Sequence, residues 1–338
     1  TTAGVMYGTL GTLNLAHLAE RMAMAPESLR IVLAGMLLVA YGSKAGLFPL
    51  FFWLPASYHT PHPAVTAIFG GLLTKVGIYA LFRIFPLLFP DLLAHWQPFI
   101  LAVAALTMLT GVFGAMAVKT IRRVLSFHVI SQVGYMAMGL GLAASGNQLA
   151  IGFGMAAGIF YIVHHMIVKT ALLLAGGAAE LTMGTGKLEA GHLGGLVKRW
   201  PYLAVIFFVA AFSLAGIPPS SGFVSKLGLL QAAMDSGQWM IAGVSLVVSL
   251  LTLMSMVRLW QRGFAGPVEA TTMPWRKPQR WLTAAPITVL VLVSLAVGIF
   301  SAPVFGWALV AAELVLDRAG YIQAVAPTDV IAPLGAEH

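Results

Sequence analysis

The sequence predicts an all-α, polytopic transmembrane helix bundle of about eight spanning segments, two of them broken helices. Three observations predict it. Of the 338 residues, 59% are hydrophobic and only 9% charged, and the mean hydropathy is +0.90. A soluble domain carries about 25% charged residues, so this chain has too few to cover a water-facing surface. Several apolar stretches run ~20 residues without a charge, the length of helix that crosses a bilayer. Most of the remaining Lys and Arg sit in short loops between those stretches, as orientation signals do.

Residues 1–25 read as the end of a preceding transmembrane helix and a loop. Thr1–Asn14 is Gly- and Thr-rich and apolar, and no initiator Met is present, so further sequence is expected upstream. The transmembrane domain follows over 26–316, and 317–338 is a C-terminal tail. The spanning segments fall at 28–55, 62–86, 97–118, 123–144, 148–178, 201–233, 238–262 and 281–315. The first, sixth and eighth are long and interrupted. The first carries Gly46 and Pro49; the sixth carries Gly216-Ile217-Pro218-Pro219-Ser220-Ser221-Gly222. Proline removes a backbone donor and kinks a helix. Such breaks at membrane depth survive only beside protein or a water-filled cavity, and in transporters they often flank the transport path. In the second segment, glycines at 70, 71 and 77 allow a neighbouring helix to approach closely. Both broken segments hold a lysine near the break, a weak sign of internal duplication.

Charge fixes the sidedness. Lys119, Arg122 and Arg123, then Lys187, Lys198 and Arg199, then Arg262, Arg276, Lys277 and Arg280 occupy alternate loops on one side. The opposite loops mix Arg21, Arg30, Arg83 and Arg318 with Glu20, Glu27, Asp91 and Asp317. The positive-inside rule places the first set in the cytoplasm, so both ends of the chain face outside. The net charge of +8 is therefore an orientation signal and no pointer to nucleic acid. With no cysteine, disulfides, thiolate metal sites and cysteine nucleophiles are excluded. No phosphate-binding glycine loop is present. His59 and His62 share a tight loop without further ligands, which makes a poor metal site.

Four of the eight lysines, Lys44, Lys75, Lys169 and Lys226, fall inside apolar segments. An ionisable group there costs at least ~2.5–3.5 kcal/mol on insertion scales and marks function by default. Lys44 precedes the first break and Lys226 follows the second; near a helix end each also has the option of snorkelling to the interface. Lys75 sits mid-segment. Tyr161, His165 and Lys169 stand at i, i+4 and i+8, on one helix face. Desolvation disfavours an ammonium, so a buried lysine can exchange protons near neutral pH, where histidine already titrates. His164, His128, Tyr161, Ser131 and Gln132 are accessory candidates: His164 doubles as a packing residue, and His128 as an interfacial one. Ser43, Thr74 and Ser225 could hold water between carriers. None of the eleven acids is central in an apolar span, except that Glu313 nears the end of the last. The lysines thus lack an evident carboxylate partner in this chain, although buried charges are normally paired.

The stretch KAGLFPLFFWLPASYHTPHPAVTAIFGGLLTKVGIYALFR, with FYIVHHMIVKTALLLAGG and SLAGIPPSSGFVSKLGLL, resembles the antiporter-like membrane subunits. These occur in respiratory complex I, membrane-bound hydrogenases and Mrp-type multi-subunit cation/proton antiporters. The likeness extends along nearly the whole chain. GSKAGLFPLFFWLP and the closing AGYIQAV are most similar to the D-type subunits of Mrp antiporters, with complex I subunits next. The resemblance implies fourteen helices with two inverted five-helix repeats, each holding a broken helix. It makes Lys44 the lysine of the first broken helix, Lys75 the bridging lysine, Lys169 with His165 the centre of the second half, and Lys226 the terminal lysine. The family's glutamate partner of the first-half lysine has no counterpart here, consistent with missing upstream helices.

The expected function is proton translocation through a Lys/His relay within a bacterial inner-membrane sodium (cation)/proton antiporter. The alternative is the same relay in complex I or a hydrogenase, driven by redox chemistry elsewhere. The expected partners are other Mrp subunits, membrane lipids, protons and sodium. No cofactor is expected, and the chain is a secondary transporter subunit, not an enzyme.

Overall fold

The computed structural model describes residues 1–144, 148–188, 195–266 and 280–326, and every regular element among them is helical. Helix α1 (Thr2–Leu10) ends on Gly11 in the left-handed region, and α2 (Leu15–Met24) starts at Asn14, whose side chain accepts from the N–H groups of Ala16 and His17. Where the sequence suggests a helix end and a loop, two capped helices form. Helix α3 (Glu27–Ala45) stops at Gly46 and the chain resumes as α4 (Trp53–Ser57). The next crossing is α5 (Pro63–Ile68), a π turn over Phe69–Leu73, and α6 (Thr74–Leu88). Helices α7 (Pro90–His95), α8 (Gln97–Ala117), α9 (Ile121–Leu142) and α10 (Gln148–Met183) follow. Then come α11 (Leu196–Arg199), α12 (Pro201–Ala215), α13 (Ser221–Asp235) and α14 (Trp239–Trp260), the last running into a π turn at Gln261–Ala265. Helices α15 (Arg280–Ile299), α16 (Ser301–Leu316) and α17 (Arg318–Val325) close the described chain.

Seven helices among the described residues are long and apolar enough to cross a bilayer, and α12 with α13 supplies a further, broken crossing. Helix α9 is the axis of the bundle. Its apolar window is 94% buried, against 28% for α3 and α15 at the periphery, and α6, α8, α10, α13 and α14 pack around it. Small residues permit this. A Cβ at Gly111 of α8 would meet the Ser131 backbone, and Gly139 of α9 abuts Gly158 of α10. Without a hydrophobic drive between helices in lipid, such close approach supplies the packing that holds them.

The basic loops share one face. Arg122 donates to both carboxylate oxygens of Glu180, at 2.7 and 2.9 Å, and to the Pro61 carbonyl at 2.5 Å. Lys119 O accepts from Leu188 N, and Arg258 donates to Met116 O. Arg276 and Lys277 lie outside the described residues. On the opposite face Arg30 meets Asp91 at 3.3 Å, Arg83 lies 4.1 Å over the Tyr321 ring, and Arg318 donates to Ala19 O. Helix α17 packs on α2, so the two described ends lie together.

The two breaks have the same backbone. Gly46 and Gly216 are both left-handed, at φ 80° and 92°. Gly46 N donates to Gly42 O and Ser43 O, as Gly216 N does to Phe212 O and Ser213 O; Leu47 N and Ile217 N complete the match. Since α3 starts on the Arg30–Asp91 face and α12 on the basic face, the two breaks run in opposite directions, as in an inverted repeat. The eighth segment is interrupted too, at Phe300. Gly298 lies against Pro219, Ser220 and Ser221 of the second break, which sets this third interruption beside it.

Candidate buried proton relay

The buried polar groups converge on α9. Lys75 begins α6, just past the π turn, and its Nζ donates to Gly70 O at 2.5 Å. A π turn widens the helix by one residue and is frequent at functional sites. Here Gly70 and Gly71 let α10 in: a Cβ at Gly70 would meet Leu173 and one at Gly71 would meet Thr170. From the loop side Tyr58 donates to the neighbouring carbonyl, Phe69 O, at 3.1 Å. Burial pushes the Tyr58 phenol above its ordinary range, so it remains a donor. Lys75 and Tyr58 therefore hold consecutive carbonyls of one turn.

Helix α10 contributes Tyr161, His164, His165 and Lys169, all essentially inaccessible. Lys169 interacts electrostatically with Lys75, and His165 with Lys75, Lys169, His164 and His128. Helix α9 contributes His128, Ser131 and Gln132, also sealed from solvent. His128 Nε2 pairs with Ser255 Oγ at 2.9 Å, and Tyr161 donates to Gln132 Oε1. On the far side, His164 Nδ1 meets Ser221 Oγ at 2.7 Å; Ser294 then joins Ser221 at 3.0 Å and Ser213 at 2.9 Å. Lys226 of α13 turns back to the break, where its Nζ donates to Ala215 O at 2.9 Å. That carbonyl belongs to the C-terminal turn of α12, the negative end of the helix dipole. Lys226 also interacts electrostatically with His128 and His164.

All the relay candidates but one fall within electrostatic range of another candidate: Lys75, His165, Lys169, His128, His164 and Lys226 do, whereas Lys44 stands exposed on the flank of α3. Lys75 and Lys169 are 3% and 0% exposed, whereas Lys226 is half-buried. Burial excludes snorkelling for the two central lysines. Among the described residues no carboxylate pairs with any of these cations: Glu180 is engaged by Arg122 and Asp91 by Arg30. His59 bonds the Pro55 carbonyl of α4 and His62 accepts from Ala64 N of α5, and among the described residues no metal-binding group of acids, Cys and His is assembled.

Several buried atoms have no protein partner: Lys169 Nζ, both nitrogens of His165, Gln132 Nε2, Ser131 Oγ, His128 Nδ1 and Thr74 Oγ1. Buried polar groups are almost always hydrogen-bonded, to ordered water where protein does not serve. The donors and acceptors concentrated here suit a hydrated file. A cavity of about 1100 Å³ opens on the face opposite the basic loops, lined by Gln231 and Asp235 of α13 and Glu313 of α16.

Sequence reasoning passed over Tyr135, Ser221, Ser255 and Ser294. Tyr135 carried a readable signal, because His128, Gln132 and Tyr135 stand at i, i+4 and i+7 and so share one face of α9. Ser294 carried none, since only tertiary packing brings α15 to the break.

Residues 2–252 match the profile of the NADH:quinone oxidoreductase/Mrp antiporter transmembrane family. The D-type subunit of the Na(+)/H(+) antiporter of Alkalihalophilus pseudofirmus is 44% identical over 321 residues, covering 95% of this chain and 63% of that protein. Its counterpart in Bacillus subtilis is 36% identical, covering 95% and 64%. The chain thus spans less than two thirds of the length of these relatives. Among solved structures, a chain of the Mrp complex from Dietzia sp. DQ12-45-1b superposes with a TM-score of 0.85 at 36% identity, covering 96% of this chain and 66% of that one.

Proposed function

The chain belongs to the NADH:quinone oxidoreductase/Mrp antiporter transmembrane family, and on that premise we propose that it is the proton-translocating part of a multi-subunit sodium (cation)/proton antiporter. The relatives named as Na(+)/H(+) antiporter subunits support this reading over a redox-driven complex. The observation that carries it is the burial of Lys75, Lys169, His165, His128 and His164, with Lys226 half-buried at the second break; we read them as one file. An ammonium without a counter-ion is unstable at low dielectric. Two such lysines within electrostatic reach disfavour simultaneous charging. A proton arriving at one therefore favours release from the next, and the histidines and the water between them carry it.

The two ends of the file differ in access. Lys75 is sealed behind the π turn and waits on rearrangement or water from the basic face. Lys226 is half-buried and serves as the terminal carrier, discharging towards the face with the open cavity. Tyr161, Gln132 and Ser131 line the middle and orient the file. Lys44, exposed on α3, takes its place only against a polar partner on that flank, supplied by other sequence or another subunit. The partners are the remaining subunits of an Mrp-type complex in a bacterial cell membrane, and the driving force is an ion gradient.

The decisive experiment compares the whole complex with and without Lys169→Ala in everted vesicles at matched assembly. Loss of sodium-dependent proton movement is expected. Unchanged exchange would remove the relay. Copurification with quinone-reducing or iron–sulfur subunits, in place of small Mrp subunits, would move the relay into a redox-driven machine.

A further inference from the structure

Lys226 is the lysine of the file seated on an aromatic face. Its Nζ lies 4.9 Å from the centroid of the Tyr135 ring and donates to the Ala215 carbonyl at 2.9 Å. A ring of this kind presents a negative face, and the attraction for a cation grows as water is removed. Tyr135 is built to hold that face in place. It is 1% exposed. Its hydroxyl donates to Ser245 O at 2.5 Å, which pins the far edge to α14. Its plane stacks on Tyr161, 5.3 Å away and 8° from parallel, and Tyr161 in turn meets His164 edge-on. His128 on α9 and His164 on α10 are also in electrostatic range of Lys226. Neither is an anion, and among the described residues no carboxylate reaches the ammonium.

We propose that the Tyr135 ring is the counter-charge of Lys226: its face, with the Ala215 carbonyl, holds the protonated lysine at the break of α12 and α13 in the place a carboxylate would take. Tyr135 is a positioning residue that acts through Lys226, and the inference rests on the reading of Lys226 as a carrier. A ring suits a terminal carrier. Its attraction is weaker than that of a carboxylate, so the proton is held without being trapped, and the ring face, which is not a base, does not take the proton from the ammonium.

The test is a fluorination series. Phenylalanine, then mono-, di- and trifluorophenylalanine, are installed at position 135 of the assembled complex. Sodium-dependent proton exchange is then measured in everted vesicles at equal amounts of assembled complex. Fluorine withdraws charge from the ring face with little change of shape. Exchange should fall stepwise, by about tenfold or more from the first member to the last. A flat series means that the ring only packs, and overturns the proposal; so does inactivity of Tyr135→Phe itself, which would assign the role to the hydroxyl. Lys226→Met is measured alongside. Exchange that survives Lys226→Met overturns the carrier reading whatever the series shows. Loss in Lys226→Met with a flat series removes the role of Tyr135 alone.

Discussion

At the scale of single residues, burial without a counter-ion separates the two central lysines proposed as carriers from ordinary ones. Lys119, Lys187 and Lys198 are exposed on the basic face, Lys198 within the short α11, where water solvates their charge. Lys75 and Lys169 are sealed; Lys75 donates to the Gly70 carbonyl, and Lys169 Nζ has no protein hydrogen-bond partner among the described residues. Lys75→Met removes a proposed carrier and also frees Gly70 O, so proton exchange should be lost while the complex still assembles; vesicle assays with parallel immunodetection check both. The serine chain at His164 makes a different kind of prediction. Ser221→Ala leaves the buried Nδ1 of His164 without its 2.7 Å partner, a loss of about 1–3 kcal/mol. It should appear as a lowered melting temperature of the solubilised complex, with Ser221→Thr closer to wild type.

At the scale of helices, the breaks and the close glycine contacts shape the file. The backbones at Gly46 and Gly216 match, yet the lysines do not. Lys44 precedes its break by two residues, and Lys226 follows Gly216 by ten and reaches back with its side chain. One backbone design, run in both directions, thus serves two placements of charge. Glycine packing is as exacting. A Cβ at Gly77 would stand 2.6 Å from Ala45 N and 2.7 Å from Tyr41 O, backbone atoms that cannot swing aside. Gly77→Ala should therefore force α6 from α3 and cost about 1–3 kcal/mol. Gly243→Ala, with nothing within 4 Å, should leave the melting temperature unchanged or slightly raised. Thermal denaturation of the two variants side by side checks the contrast.

At the scale of the whole molecule, two faces are defined by contact: one by Arg122, Glu180, Pro61 and Lys119, the other by Arg30, Asp91, Ala19 and Arg318. The charge rule reads the first as cytoplasmic. Because the chain has no cysteine, single cysteines can report sidedness directly. Asp235→Cys should react with a membrane-impermeant maleimide in intact cells, and Lys198→Cys only in everted vesicles; the reverse pattern would invert the orientation.

The sequence by itself determined that the chain crosses a membrane many times, where the crossings lie, and which cations are out of place in lipid. Hydropathy and the cost of a buried charge are local properties, legible wherever an apolar run holds a lysine. The face shared by Tyr161, His165 and Lys169 was legible too, because helical spacing fixes it. Only the tertiary structure decided the rest: that Lys44 lies apart on the flank, that Lys75 caps a π turn, that Ser294 of α15 completes the serine chain, and that Lys226 folds back over Tyr135. Such pairings join residues far apart in sequence: Ser213 and Ser294 stand 81 positions apart, and His128 and Ser255 stand 127. They depend on where glycines let helices close up, and no periodicity within one segment encodes which neighbour arrives.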